Sequence, residues 1–226
     1  MTKRWSIRVL TERSETMTTV YRVHESYKKN GAGKFNSVKQ AFPEGVELIL
    51  YDAQNPGSSL VPLWSDSFTV ELREKRKPIG DLMGLYPALF VSERARDALK
   101  DLLENNGEFL PVYCEKVPNI VAFHTTRLLD PLNKENCKFS YLGEGDSRRP
   151  VKVREYDFIE EKIASPIFRI KEDAGLFVTD EFVETVRQSD LKGFGFRRLW
   201  NSELGRVHSE ISINNLFLSE EEDYNW

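Results

Sequence analysis

Cysteine is nearly absent: the 226 residues hold two, Cys114 and Cys137. Neither lies in a CxxC pair, which excludes a disulfide framework and a zinc site of the usual spacing. Histidine is as scarce. His24, His124 and His208 stand singly, with no HExxH and no His/Cys ligand pattern, so neither a metal nor a cofactor is expected. No apolar run reaches the roughly 18 residues that span a bilayer, and the N-terminal "MTKRWSIRVLTE" has no secretory apolar core. Positive charge is not in surplus either. Thirty-two Lys and Arg stand against 36 Asp and Glu, a net charge of −4, which argues against contact with a phosphate backbone. The expectation is a cytoplasmic protein with no membrane and no nucleic-acid partner.

What remains is a globular composition, 40% hydrophobic and 12% aromatic, long enough for one generous core or two closely packed lobes. Residues 1 to 80 lean toward strand: "RWSIRVL", "TTVYRV", "VELILYD" and "SFTVELRE" are short alternating or β-branched runs. "YKKNGAGKFNS" and "AQNPGSS" read as loops between them.

From about residue 81 the pattern turns mixed. "ALFVSERARDALKDLLENNGEFLPVYC" begins with a strand, Leu89 to Val91, and Ser92 then offers a hydroxyl to cap a helix. Ala95, Ala98, Leu99, Leu102 and Leu103 recur at helical spacing. Asn106 and Gly107 stop the helix, with Gly107 taking a left-handed backbone, and "EFLPVYC" returns as a strand. "GLFVTDEFVETVRQSDLKGFGFRRLW" repeats the sentence, with Thr179 as cap, Asp180 and Glu181 at the positive helix end, and Phe182, Val183 and Val186 as the apolar face. Each unit reads as a right-handed parallel crossover, one local solution used twice. The fold expected is α+β: a β-rich N-terminal part (1–80) packed on a mixed α/β domain (81–218) with two strand-helix-strand units, then an acidic tail (219–226).

"KGFGF", Lys192 to Phe196, also matches the first five positions of an RNA-recognition strand. The pattern then needs core aliphatic and aromatic residues where this chain has Arg197 and Leu199, and a buried arginine needs a partner. A helix stop followed by a half-buried aromatic strand explains the stretch without RNA.

Other chemistry-bearing groups have equally plain explanations. Cys114 and His124 are a nucleophile-base pair only if the fold joins them; a free cysteine after an apolar strand is otherwise a small buried hydrophobe. "NGAGKF" lacks the glycine that a phosphate loop needs at Lys28 and the hydroxyl it needs at Phe35. Asp157, Glu160 and Glu161 are an acid-base set or a solvated face. In the tail, Glu220, Glu221, Glu222 and Asp223 form an acidic stretch that steers toward a basic partner, with Tyr224 and Trp226 as aromatic anchors. A loose, solubilising terminus is the competing reading.

The order of "FTVELREKRKPIGDLMGLYPALFVSERARDALKDLL", "EFLPVYC", "RLLDPLN", "YDFIEEKIASPIFRI" and "GLFVTDEFVETVRQSDLKGFGFRRLW" resembles a bacterial immunity-protein family of polymorphic toxin systems, the one numbered eleven. Where that family's pattern carries a cysteine after an aspartate, this chain has Asp130-Pro131, so that thiol is not required chemistry and Cys137 does not stand in for it. The resemblance implies a non-catalytic protein that binds a cognate toxin made beside it and occludes it. The rival classes are an enzyme that reverses a toxin's modification and a scaffold or adaptor. The oligomeric state is not legible in the sequence.

Overall fold

The computed structural model describes residues 17–26, 34–40, 44–74, 77–143, 149–206 and 223–225. In chain order the elements begin with β1 (Thr19–Glu25), β2 (Val38–Gln40), α1 (Glu44–Gln54), a 3-10 turn at Val61–Leu63, β3 (Val70–Leu72), β4 (Leu82–Gly84) and β5 (Leu89–Val91). Then come α2 (Glu93–Ala98), α3 (Lys100–Leu103), β6 (Gly107–Leu110), β7 (Val121–Thr125), β8 (Lys138–Leu142) and β9 (Arg149–Glu155). A 3-10 turn at Glu160–Lys162 precedes β10 (Ile167–Ile170), β11 (Asp173–Thr179), α4 (Asp180–Gln188), β12 (Phe194–Asn201), β13 (Gly205–Arg206) and β14 (Asp223–Asn225). The described residues thus form a strand-rich α+β fold, with a six-stranded sheet, a four-stranded sheet and two strand pairs, β2-β3 and β8-β9, all antiparallel.

Both strand-helix-strand units are present, each with one strand inserted. In the four-stranded sheet the order is β4-β5-β7-β6. β5 and β6 both pair antiparallel with β7, so they run parallel to each other around it. In the larger sheet β11 and β12 flank β1 in the same way. The inserted strand comes from later in the chain in the first unit and from earlier in the second. The β-rich N-terminal stretch is therefore interleaved with the rest: β1 runs through the middle of the larger sheet.

Three cores follow from strand alternation. Leu89, Val91 and Phe123 of one sheet, Val23, Val178, Phe194 and Phe196 of the other, and Ala95, Leu99, Leu103, Phe182, Val183 and Val186 of the helices share the central core. The fully buried Phe182, Phe194 and Phe196 each contribute roughly 2–3 kcal/mol by leaving water. Phe90 and Ala122 face the other way, toward α1 and the β2-β3 strand pair. Phe177, Leu199 and Trp200 face a third core with Phe158 and Phe168. A bulge at Val20/Tyr21, where Val20 pairs with Trp200 and Tyr21 with Arg198, places the extra residue Leu199 and turns β12 from the central core to the third.

The strand expected over "VELILYD" is instead the helix α1. Val46, Leu48 and Leu50 alternate as a strand would, but the buried positions are Leu48 and Asp52, with Tyr51 half-buried and Leu50 outward, the spacing of a helix face. The single helix expected after Ser92 is divided at Leu99 into α2 and α3. "RWSIRVL" lies outside the described residues.

Candidate functional site

Asp81, just before β4, ties the two units together. Its carboxylate accepts from Ser92 Oγ at 2.6 Å, from Arg94 Nε at 3.1 Å and Nη2 at 2.5 Å, and from the Lys192 amide at 2.7 Å. Ser92 Oγ in turn caps α2 by accepting from the Ala95 amide at 3.1 Å, as its place in the sequence predicts. Burial alone would raise the Asp81 carboxyl, but the bonds from Arg94, Lys192 and Ser92 hold it below its ordinary value. Thr179 occupies the corresponding position before α4 without a side-chain cap. Asp180 beside it accepts from the Thr19 amide at 2.5 Å and from Tyr21 Oη at 3.2 Å, which fastens β1 to α4.

A second polar cluster is buried beneath α1. His124 Nε2 lies 3.1 Å from Asp52 Oδ1, and Arg169 of β10 also bonds Asp52. His124 Nδ1 is 3.3 Å from Glu108 Oε1, close enough for an ion pair but not aligned for a hydrogen bond. Glu108 accepts from the Leu60 amide at 2.6 Å and from Ser59 Oγ at 2.7 Å. Burial would raise the Asp52 carboxyl; hydrogen bonds from His124 and Arg169 and the guanidinium charge hold it below the ordinary range. The cluster joins α1, both sheets and the chain before the Val61–Leu63 turn, a strong tether because breaking a buried pair strands a charge.

Chemically, this cluster orients His124 between two carboxylates, a frame seen where a histidine acts on a nucleophile. Cys114 is not among the groups that meet the His124 ring, which are Asp52 and Glu108. Cys114 is buried among Leu110, Val117 and Ala122 in the apolar core under α1. The cavity that reaches His124, Arg169 and Tyr86 has a volume of about 20 Å³, room for one water. A larger groove of about 440 Å³ runs between Met17, Ile163–Pro166 and Thr179–Glu181, where Asp180 is already engaged by β1.

The other sequence candidates are scattered. Glu160 and Glu161 are exposed on their 3-10 turn, whereas Asp157 accepts from Trp200 Nε1 at 3.2 Å and Asn136 Nδ2 at 2.9 Å. Phe194 and Phe196 of "KGFGF" point into the central core, so they offer no ring to a base. Among the described residues no cluster of His, Cys, Asp and Glu is arranged to hold a metal ion, and no helix is long and apolar enough to cross a membrane. Residues 27–33 of the glycine loop, and Glu220, Glu221, Glu222 and Trp226 of the tail, lie outside the described residues. Asp223 and Tyr224 belong to β14, in register with Arg197 and Phe196 of β12.

Sequence reasoning missed the apolar surface carried by α1 and the following turn. Ile49, Leu50, Val61 and Leu63 are all exposed. A helical reading of residues 44–54 would have placed Leu50 on the side opposite the buried Asp52.

Comparison with known families gives a match to a model described as an immunity protein family, Imm11, over residues 21–200. That span runs from β1 to β12 and takes in the four-stranded sheet and the larger sheet apart from β13 and β14. No curated protein matches the chain.

Proposed function

We propose, from the premise that the chain belongs to the Imm11 immunity protein family, that it neutralises a cognate bacterial toxin by binding it and covering the surface the toxin works with. The observation that carries this reading is the family match across residues 21–200. It concerns most of the two-sheet framework rather than a local motif.

The framework suits the task. Two sheets and three short helices share one core, and the buried ties at Asp81 and Asp52 each link one sheet to the other. A rigid surface loses little entropy on docking, so more of the contact energy appears as affinity. Occlusion requires about 800 Å² of this surface, with a few apolar and charged anchors. No chemical step is assigned to the protein: His124 and its carboxylates serve to hold α1. It acts in the cytoplasm, where the toxin would otherwise reach its target. Glu220, Glu221, Glu222, Asp223, Tyr224 and Trp226 are proposed to add a contact with the toxin.

The test is a survival assay. The toxin domain encoded beside this gene is expressed in a sensitive cell with and without the protein. Survivors are expected only with both. Equal killing in both arms, with this protein soluble and abundant, refutes the reading.

A further inference from the structure

Eleven large apolar side chains are exposed among the described residues, and four of them, Ile49, Leu50, Val61 and Leu63, belong to α1 and its following turn. These segments touch. The Leu60 amide and Ser59 Oγ bond Glu108, Trp64 Nε1 donates to the Pro111 carbonyl at 2.6 Å, and Leu48, Leu60, Trp64 and Leu110 share one core. Leu50, Val61 and Leu63 are 54%, 57% and 51% exposed, although α1 and its turn had inward positions to fill. Apolar groups concentrated this way on a monomer's surface mark a contact site.

The segment that carries them has charge of one sign. Residues 40–72 contain no Lys, Arg or His, and carry Glu44, Glu47, Asp52, Asp66 and Glu71. Asp52 is buried and Glu71 pairs with Lys39 at 3.2 Å, while Glu47 and Asp66 are exposed. An apolar centre with an acidic rim complements an apolar centre with a basic rim, and the rim charges steer the encounter. A second copy of this chain fits poorly, because a two-fold contact sets each patch against itself and brings Glu47 and Asp66 toward their own equivalents. An anionic membrane surface repels the same rim.

We infer that the face formed by α1 and the Val61–Leu63 turn is the docking surface for a protein domain with a basic-rimmed apolar contact face. Resting on the immunity reading above, this assigns the surface that meets the toxin and the charge of the toxin's matching face. Leu50, Val61 and Leu63 are the anchors. Glu47 and Asp66 govern the rate of approach.

The experiment uses the full-length protein and the toxin domain encoded beside its gene. Leu50→Arg combined with Val61→Arg is expected to weaken the complex at least 100-fold without moving the thermal midpoint. Glu47→Lys combined with Asp66→Lys is expected to slow association about tenfold at low salt, with the difference vanishing at high salt, where exposed charges are screened. Leu204→Arg, at an exposed site on the β12-β13 turn, should leave binding unchanged. If the wild type binds and the Leu50/Val61 variant binds equally well, the surface is wrong and the immunity reading stands. If the wild type does not bind, both fall. Sedimentation of the protein alone is expected to show a monomer; a dimer that the same two arginines disperse would assign the face to a second copy and overturn the proposal.

Discussion

Gly193 lies so close to Leu82 that a Cβ on it would sit 2.7 Å from the Leu82 carbonyl oxygen, and its φ of +94° belongs to the left-handed region. The Lys192 carbonyl just before it accepts from the amides of Asp81 and Leu82 at 2.7 and 3.1 Å. The first glycine of "KGFGF" is thus the point where the two strand-helix-strand units meet.

Gly193→Ala is expected to cost about 3 kcal/mol, from left-handed strain and displacement of the β4 backbone. Gly205→Ala is the control. Gly205 also has positive φ, at +69°, but meets nothing within 4 Å, so strain alone remains, about 1 kcal/mol. Urea midpoints of the two variants against wild type check the ordering; equal losses would mean the close approach to Leu82 is unimportant.

The buried cluster gives a double-mutant test. Asp52→Asn and Arg169→Met each break a buried pair and are expected to destabilise by about 3 kcal/mol. Combined, they should cost clearly less than the sum, because the second change removes a charge that the first left stranded. Strict additivity in equilibrium unfolding would show that the two groups do not share their stabilisation.

The acid limb of stability follows from the same carboxylates. Asp52 and Asp81 both lie below their ordinary value of 3.8 when folded. A depressed folded value means stability that is present above the unfolded pKa and lost as the pH falls through the folded one. Stability should therefore hold above about pH 5 and fall below about pH 4. Glu25 works in the opposite sense, since burial raises it above 4.5 despite Arg73 and Lys77. Asp81→Asn should be less stable at pH 7 and lose less on acidification. A variant that parallels wild type from pH 7 to pH 3 would contradict this origin of the acid limb.

Local signals carried the parts of the fold made by neighbouring residues. Ser92 caps α2, the apolar faces of α2 to α4 are buried, and β1, β5 and β12 fall where alternation places them. Position 107 shows the limit: its glycine was expected for a left-handed helix stop, yet it is required because a Cβ would collide with the His124 carbonyl of β7. That collision depends on strand pairing. The same holds for Asp52, whose partners His124 and Arg169 lie 72 and 117 residues away. A charged residue at the end of an apolar run reads as the start of solvent until the fold brings its counter-ion. The strand inserted in each crossover was hidden for the same reason, since nothing in "TTVYRV" or "VAFHT" records which strands flank it.

The tail reads differently once paired. Tyr224 is in register with Phe196, a central-core residue, and Asp223 with Arg197. Deleting residues 219–226 is expected to weaken toxin binding severalfold, with survival of toxin-expressing cells still above the unprotected level, because the family match ends at residue 200. Complete loss of protection by a folded, tail-deleted protein would move the main contact to the tail.

Occlusion is tested most directly by titrating a fixed amount of purified toxin domain with this protein and following toxin activity alongside the mass of the complex by light scattering. Activity should fall linearly to zero at one equivalent, with all toxin in a complex whose mass matches the two chains. Activity that persists beyond saturation of that complex, or disappears at a small fraction of an equivalent, would contradict occlusion, the second result by pointing to turnover.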